Sequence, residues 1–280
     1  MKDIELKTHD GRTITIPNSW NGLSPELFTS IVNNLAKYAS GQLSKRELLI
    51  MYVAEYLGLE LSHLSMTAAE NLYLLSEDVS FLFKGEDIRH TFCAQLIPEV
   101  NIQGREYTGY QINYSFGALT CSLTAAQFIE AYSMISCHES KYPLIAAILY
   151  THPYSAALAH QRAEIFAKLD KDTLRAIHFN FRAFISFLFS NTMFSILSAG
   201  SGKKENIFSV SMADALYDLS ADGLGDSEQI EKMDVIKYLR ILRKKLIESI
   251  RTMHSSEVSI TDIADKTGLP TQTIKKIVSC

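Results

Sequence analysis

The segment 263–277, IADKTGLPTQTIKKI, gives the most specific local prediction in the chain, two short helices joined by a tight turn. Gly268 lies where the chain must reverse, and glycine adopts the left-handed backbone of such a turn without a steric penalty. Pro270 is typical of the first position of a helix, where its missing N–H costs nothing. Ile274 and Ile277 are three residues apart, so they place one apolar stripe of the second helix against the first.

The spacing of this segment, I-A-x-x-x-G-L-x-x-x-x-I-x-x-I, resembles that of the bacterial helix-turn-helix family. The resemblance implies that the second helix contacts DNA, through polar side chains suited to base edges or phosphates: Thr271, Gln272, Thr273, Lys275 and Lys276. The competing interpretation is a helical pair used for packing or for docking another protein. Charge favours the latter, because 255–280 carries three acidic and three basic side chains, whereas DNA affinity comes largely from Lys and Arg. The helix expected before it, 234–253, is more basic.

The composition of the 280-residue chain is that of an ordinary globular protein, with 47% hydrophobic and 21% charged residues. This length suits one large domain or two to three small ones. The net charge of −4 requires any nucleic-acid surface to be local. The charged start, MKDIELKTHD, predicts no cleavable signal peptide. The four cysteines lack C-x-x-C spacing and indicate reduced thiols in a cytosol-like compartment.

An apolar stretch at 183–197 is about fifteen residues long, short of the roughly 20 needed to span a bilayer, so we expect no membrane partner. Half of the chain's 14 phenylalanines lie between Phe166 and Phe194. This region is therefore either the main core or an apolar surface for assembly. In the second interpretation, the interaction surface comprises four side chains of the stretch: Phe184, Phe187, Phe189 and Phe194.

The order of elements predicts a helix-dominated fold. Alternating apolar residues on either side of the turn at 9–11 predict an N-terminal β-hairpin, and a second is expected over 95–114 around Gln103-Gly104. Helices fill the second half, over 124–135, 142–149, 155–169, 171–197, 211–219 and 234–253. The fold class is therefore mainly α with small N-terminal and central β-hairpins (α+β). The predicted regions are an N-terminal one of hairpin plus helices, a central helical one, and a C-terminal helical one with the helix-turn-helix-like end: 1–115, 116–198 and 207–280.

Two helix starts have the same pattern, L-[ST]-x-x-x-F, at 23–28 and at 123–128. Ser24 is predicted to cap the first helix, and Thr124 with Gln127 to form a capping box on the second. An internal duplication is one explanation, and a coincidence between two common helix starts is the other.

Motifs that would carry chemistry are missing from the sequence. The segment 200–204, GSGKK, lacks the first glycine and the final Ser or Thr of a phosphate-binding loop. The eight histidines show neither H-x-x-x-H nor H-E-x-x-H spacing, and no nucleophile motif is present. We therefore expect a non-enzymatic protein without a cofactor or metal.

Three parts of the chain carry a shared pattern. They are 14–20, with I-T-I-P-x-S-W, then the short segments 107–109, 123–124, 128–130 and 143–150, and finally 214–237. Together they resemble a family of small proteins from phages and prophages of Bacteroidetes, encoded among tail and virion-assembly genes. The resemblance implies a role in virion morphogenesis, as a tail-assembly chaperone or minor structural component. Its implied partners are other virion or tail proteins or a second copy of the chain, in the bacterial host cytoplasm or in the virion. The helix-turn-helix-like end is a departure from this family's pattern.

Overall fold

The computed structural model describes residues 2–7, 11–198, 205–221, 223 and 225–279. Helices dominate these residues, and their strands form four separate two-stranded antiparallel hairpins. The predicted helix-dominated α+β fold is confirmed. No helix among the described residues combines the length and apolar character that a membrane span requires.

The strands, in chain order, are β1 Ile4–Lys7, β2 Thr13–Ile16, β3 Phe83–Lys84, β4 Asp87–Ile88, β5 Glu99–Ile102, β6 Arg105–Thr108, β7 Ile112–Ser115 and β8 Ala118–Cys121. The N-terminal hairpin is confirmed, with Ile4 opposite Ile16, although residues 8–10 of its predicted turn lie outside the described residues. Gln103 and Gly104 have φ values of 54° and 82°, as the turn between β5 and β6 requires. The prediction was wrong beyond that turn, because Ile112 starts a separate hairpin with β8.

The helices are α1 Pro25–Ala39, α2 Lys45–Tyr56, α3 Met66–Glu77, α4 Ala125–Ser133, α5 Tyr142–Leu149, α6 Ala156–Phe166, α7 Lys171–Asn191, α8 Ser195–Ser198, α9 Glu205–Ala221, α10 Ser227–Glu231, α11 Val235–Ser255, α12 Ile260–Thr267 and α13 Thr271–Ser279. The single helix predicted over 171–197 is interrupted. Thr192 adopts an extended backbone (φ −124°, ψ 176°), and its hydroxyl donates to the carbonyl of Leu188 while accepting the N–H of Phe194. A side chain that satisfies the backbone on both sides allows the helix to stop there. The phosphate-loop-like segment 200–204 lies outside the described residues.

The two similar helix starts have the same local structure. Ser24 accepts the N–H of Leu27, and Thr124 accepts the N–H of Gln127. The predicted capping box of α4 is nevertheless incomplete, because the Gln127 side chain donates to carbonyls near the end of α5 instead of returning to the N–H of Thr124. The elements that follow α1 and α4 differ, and internal duplication stays a prediction.

One hydrophobic core extends from Ile16 to Leu239 and joins residues of all three predicted regions. At one end the Trp20 ring lies 4.9 Å from Phe92, 5.2 Å from Phe81 and 5.9 Å from Phe28, measured between ring centroids. The long helix α7 contributes a buried face to this core and packs against α1 and α5. A second, smaller cluster joins α12 and α13 to the end of α11.

Candidate functional site

The C-terminal turn has the geometry that the sequence predicts. Ser259 caps α12 by accepting the N–H of Asp262 at 3.1 Å. Gly268 ends this helix with φ 68°, and its N–H donates to the carbonyl of Ala264 at 2.7 Å. Leu269 follows and is 2% exposed, so it fills the space beneath the turn. A left-handed cap followed by a buried residue is the usual way to stop one helix and start another at an angle.

A third helix completes a small unit, formed by the end of α11 with α12 and α13, which we call the C-terminal unit (residues 246–279). Its buried centre consists of four aliphatic side chains, Ile250, Ile263, Leu269 and Ile274. The Nε of Arg251 donates to the carbonyl of Ile277 at 3.3 Å and links α11 to the last turn of α13. The second helix of the predicted motif is therefore held by two others.

The predicted DNA-contacting side chains lie on the outer face of α13. Thr271, Gln272, Lys275 and Lys276 are exposed, and Thr273 is half-buried. Ile274 points into the buried centre of the unit. The structure thus brings the five predicted residues onto one short helix whose polar side faces solvent, not the phenylalanine-rich helices.

Charge is distributed unevenly along the chain. Residues 234–279 carry nine Lys or Arg against five Asp or Glu, a net charge of +4. The preceding residues carry 18 against 26, a net charge of −8. The positive excess belongs to α11, since residues 255–279 are balanced. Some of the basic side chains of α11 already bind groups of the same chain. Lys244 pairs with Glu248 at 3.6 Å, and the Nε of Arg243 donates to the carbonyl of Met193 at 3.1 Å.

The predicted phenylalanine surface requires correction. Phe184, Phe189 and Phe194 are buried, with exposed fractions of 0%, 8% and 2%. Only Phe187 reaches the surface, half-buried, with its ring 5.3 Å from that of Tyr114. The apolar content of a sequence does not distinguish a buried core from a docking surface. In this structure α7 packs most of its phenylalanines into the core.

The exposed apolar groups of this region come partly from the β7–β8 hairpin and partly from the stretch 183–197 itself. Phe116 and Gly117 form the turn of the β7–β8 hairpin with φ values of 50° and 77°, and Phe116 is fully exposed. Tyr114 is 49% exposed and Met193 is 52% exposed. We call Tyr114, Phe116, Phe187 and Met193 together the tip surface. Tyr114 and Met193 also line an adjoining cavity of 190 Å³.

Sequence reasoning missed the tip surface, although a signal was present. Two-residue hairpin turns with positive φ strongly prefer Asn-Gly or Asp-Gly, because a bulky side chain is strained there. Phe116 before Gly117 breaks that preference, and an aromatic residue at such a position indicates a purpose other than turn formation.

Two cysteines, the half-buried Cys93 and the buried Cys121, have raised thiol pKa values. Burial raises the pKa of Cys93 to about 11 and that of Cys121 to about 12, so both stay protonated near neutral pH. No group of three or more His, Cys, Asp or Glu side chains placed to hold a metal ion occurs within the described ranges.

The chain matches no family model, no curated protein and no solved structure.

Proposed function

We propose that this chain is a non-enzymatic assembly protein of a phage or prophage virion, acting in tail assembly through protein–protein contacts. The observation that supports the proposal is Phe116, an aromatic side chain fully exposed at the end of a hairpin. Leaving a Phe side chain in water forgoes about 1.5–3 kcal/mol of burial, and its left-handed backbone adds roughly 1–3 kcal/mol of strain. Binding that buries the ring recovers the first of these costs.

The surroundings of Phe116 suit a contact with another protein. Aromatic side chains dominate the energetics of protein interfaces, above all where an apolar patch surrounds them. Gly117, next to Phe116 in the chain, lines a cavity together with the exposed Tyr114 and Met193, and this cavity can accept a side chain of the partner. On the basis of the resemblance to virion-assembly proteins, we propose a tail protein of the same phage as the partner.

The substitution Phe116→Asn tests this role. Asn fits the positive φ of the turn better than Phe, so we expect the isolated protein to remain at least as stable. Co-expression with each neighbouring gene product, followed by co-purification, should yield a complex with the unchanged chain and none with the variant. Met66→Gln, at an exposed apolar position on α3, is the matched control and should retain the complex. A chain that stays monomeric with every virion protein contradicts the proposal.

The second candidate function is DNA binding by the C-terminal unit. The observation that favours it is the solvent-facing polar side of α13, with Gln272, Lys275 and Lys276 exposed on a helix-turn-helix. In proteins of that geometry, the second helix enters the major groove with its first residues against base edges.

Mobility shifts at two salt concentrations test the DNA-binding candidate. Binding through phosphates should weaken steeply with salt, and the slope of log K against log salt should fall by about 1 for each lysine lost. The pair Lys275→Ala and Lys276→Ala should therefore reduce the slope, whereas Lys141→Ala with Lys171→Ala should leave it unchanged. Negligible binding at both salt concentrations eliminates this candidate.

A further inference from the structure

The cavity of 190 Å³ beside the tip surface combines an apolar lining with one positive charge. Three of the residues that line it, Leu119, Phe194 and Ile236, are buried and apolar. Arg240 of α11 also lines it and is exposed. Among the described residues of the lining, none carries a carboxylate. The cavity therefore offers an apolar interior next to an accessible guanidinium.

The tip surface is built from segments without charged side chains. The β7–β8 hairpin, 112–121, contains no Asp, Glu, Lys or Arg, and neither does the stretch 183–197. Neither segment therefore supplies a carboxylate to neutralise a cation beside it. All formal charge contributed by the lining of the cavity comes from α11.

Two arginines of α11 adjoin the tip surface. Arg240 makes no hydrogen bond or ion pair with another described residue. The Nε of Arg243 donates to the carbonyl of Met193 at 3.1 Å, and Met193 belongs to the tip surface. The Nη groups of Arg243 make no hydrogen bond within the described ranges. Each guanidinium thus keeps N–H donors that a ligand can use.

The same face of α11 extends the positive charge. Lys237 is exposed and precedes Arg240 by three residues, so the two side chains lie on one side of the helix. The two carboxylates of α11 and its cap are already bound: Asp234 accepts the N–H of Lys237 at 3.0 Å, and Glu248 pairs with Lys244 at 3.6 Å. A partner with negative charge is therefore favoured beside the tip surface.

We propose that the tip surface binds an acidic segment of a partner polypeptide. One apolar side chain of that segment enters the cavity, and carboxylates on either side of it contact Arg240 and Arg243. A guanidinium suits this role because its planar fork can donate two hydrogen bonds to one carboxylate. This inference rests on the proposed function, because it names the chemistry of the partner that covers Phe116.

Two other occupants fit these observations less well. Single-stranded nucleic acid binds where a positively charged groove follows its backbone and aromatic rings form platforms for the bases. Here Phe116 protrudes from a hairpin beside a small cavity. A second copy joined through the same surface by a two-fold axis would bring identical cations together, at a cost in repulsion.

Binding of two labelled peptides to the full chain tests the proposal. Gly-Asp-Asp-Leu-Asp-Asp-Gly presents carboxylates around one apolar side chain, and Gly-Asn-Asn-Leu-Asn-Asn-Gly keeps its shape without the charges. Fluorescence anisotropy should show binding of the aspartate peptide and much weaker binding of the asparagine peptide. Arg240→Gln should lower the affinity for the aspartate peptide about tenfold, equivalent to losing one charge-assisted hydrogen bond.

The chain offers a matched control for this substitution. Arg182 is also an exposed arginine on a long helix, and it lies near His178 and Tyr142. Arg182→Gln should bind the aspartate peptide like the unchanged chain. A third peptide, Gly-Asp-Asp-Gly-Asp-Asp-Gly, should bind more weakly than the leucine-containing one, because it has no side chain for the cavity.

Several results would overturn the inference. Equal affinity for the aspartate and asparagine peptides, no binding of either, or an unchanged affinity of Arg240→Gln contradicts an acidic partner. Equal affinity for the leucine and glycine peptides contradicts an apolar side chain in the cavity. Tighter binding of oligothymidylate, lost in Arg240→Gln, identifies a nucleic acid as the occupant. A dimer in sedimentation that Phe116→Asn converts to a monomer identifies a second copy.

The outcomes also separate this inference from the proposed function, because no virion protein takes part in the peptide measurements. A chain that binds the aspartate peptide through Arg240 but no tail protein supports the inference and contradicts the proposed function. A chain that binds a tail protein through Phe116, and equally well as the Arg240→Gln variant, supports the proposed function and contradicts the inference.

Discussion

The main core and the C-terminal unit are built in opposite ways. The main core joins aromatic rings from distant parts of the chain, as when Trp20 contacts Phe179 with ring centroids 5.6 Å apart. The C-terminal unit is centred on four aliphatic residues between 250 and 274. Leu246 on α11 packs against both clusters and connects them. Because the four buried residues of the small unit are near neighbours in the chain, we expect it to open without disrupting the large core.

The largest expected loss of stability is that caused by Phe181→Ala in the main core. Phe181 is completely buried, and its ring lies 6.1 Å from that of Tyr110 and 6.2 Å from that of Phe128. Removing it leaves a cavity that neighbouring helices cannot fill, and such changes cost about 3–5 kcal/mol. Urea denaturation followed by near-ultraviolet circular dichroism should show the loss. Phe187→Ala, at the half-buried neighbour, should cost less, and an equal cost would contradict the description of one buried and one surface ring.

Ile274→Ala should have a smaller and more local effect. Ile274 is completely buried in the C-terminal unit, and truncation of a buried Ile costs about 2–5 kcal/mol. A cluster centred on four residues has little stability to lose, so we expect 246–279 to unfold while the main core persists. Hydrogen exchange should show lost protection in α12, in α13 and in the end of α11 alone. If α7 lost protection in parallel, the two clusters would form one cooperative unit.

This difference also explains what the sequence could predict. Predictions that depend on residues close together in the sequence were confirmed, including the Ser24 cap, the Gln103-Gly104 turn and the left-handed Gly268. Predictions that depend on contacts between distant parts of the chain were wrong. Only packing decides which face of α7 is buried. The end of α7 was missed for another reason, because a single Thr does not mark a helix end in the sequence although the Thr192 hydroxyl bonds the backbone there.

The candidate sites show the same limit. The polar face of α13 follows from helical periodicity, so its five side chains were predicted together. A groove formed by α4, the segment 152–156 and α10 joins residues that are far apart in the sequence, and no local pattern brings Gln127 and Glu231 together. Gln127 in particular was predicted to cap its own helix, whereas a contact with Ile148 directs its amide elsewhere.

Gly268→Ala should destabilise the C-terminal unit by roughly 1–2 kcal/mol, the cost of a left-handed backbone for a residue with a Cβ. The φ of 68° at this position explains the penalty. Thermal unfolding followed by a fluorophore on the C-terminal unit should show a lower midpoint. Gly22→Ala is no suitable comparison, because a Cβ there would approach Pro17 to 2.8 Å. Gly41→Ala, with φ 73° and open space around it, is the matched change outside the unit, and it should leave the probed transition unaffected.

The smallest expected effect is a pH dependence confined to the main core. His178 is 7% exposed, its Nε2 donates to the carbonyl of Ile135 at 2.8 Å, and its ring stacks on Tyr142 with centroids 4.2 Å apart. Burial lowers the pKa of His178 below its ordinary value. The unfolded chain therefore binds a proton more readily than the folded one, and stability falls as the pH drops through about 6.5.

Urea midpoints at pH 7.5 and 5.5 should therefore differ for the main-core transition. His178→Gln keeps a donor for the carbonyl of Ile135 but has no titrating ring, so it should show a smaller pH difference than the unchanged chain. His63→Gln, at an exposed histidine, serves as the control and should retain the full difference. If His178→Gln kept the whole pH difference, the dependence would arise from another group, such as His152, whose pKa is also lowered by desolvation. A loss of the difference would instead assign it to one ring held between α7 and the start of α5.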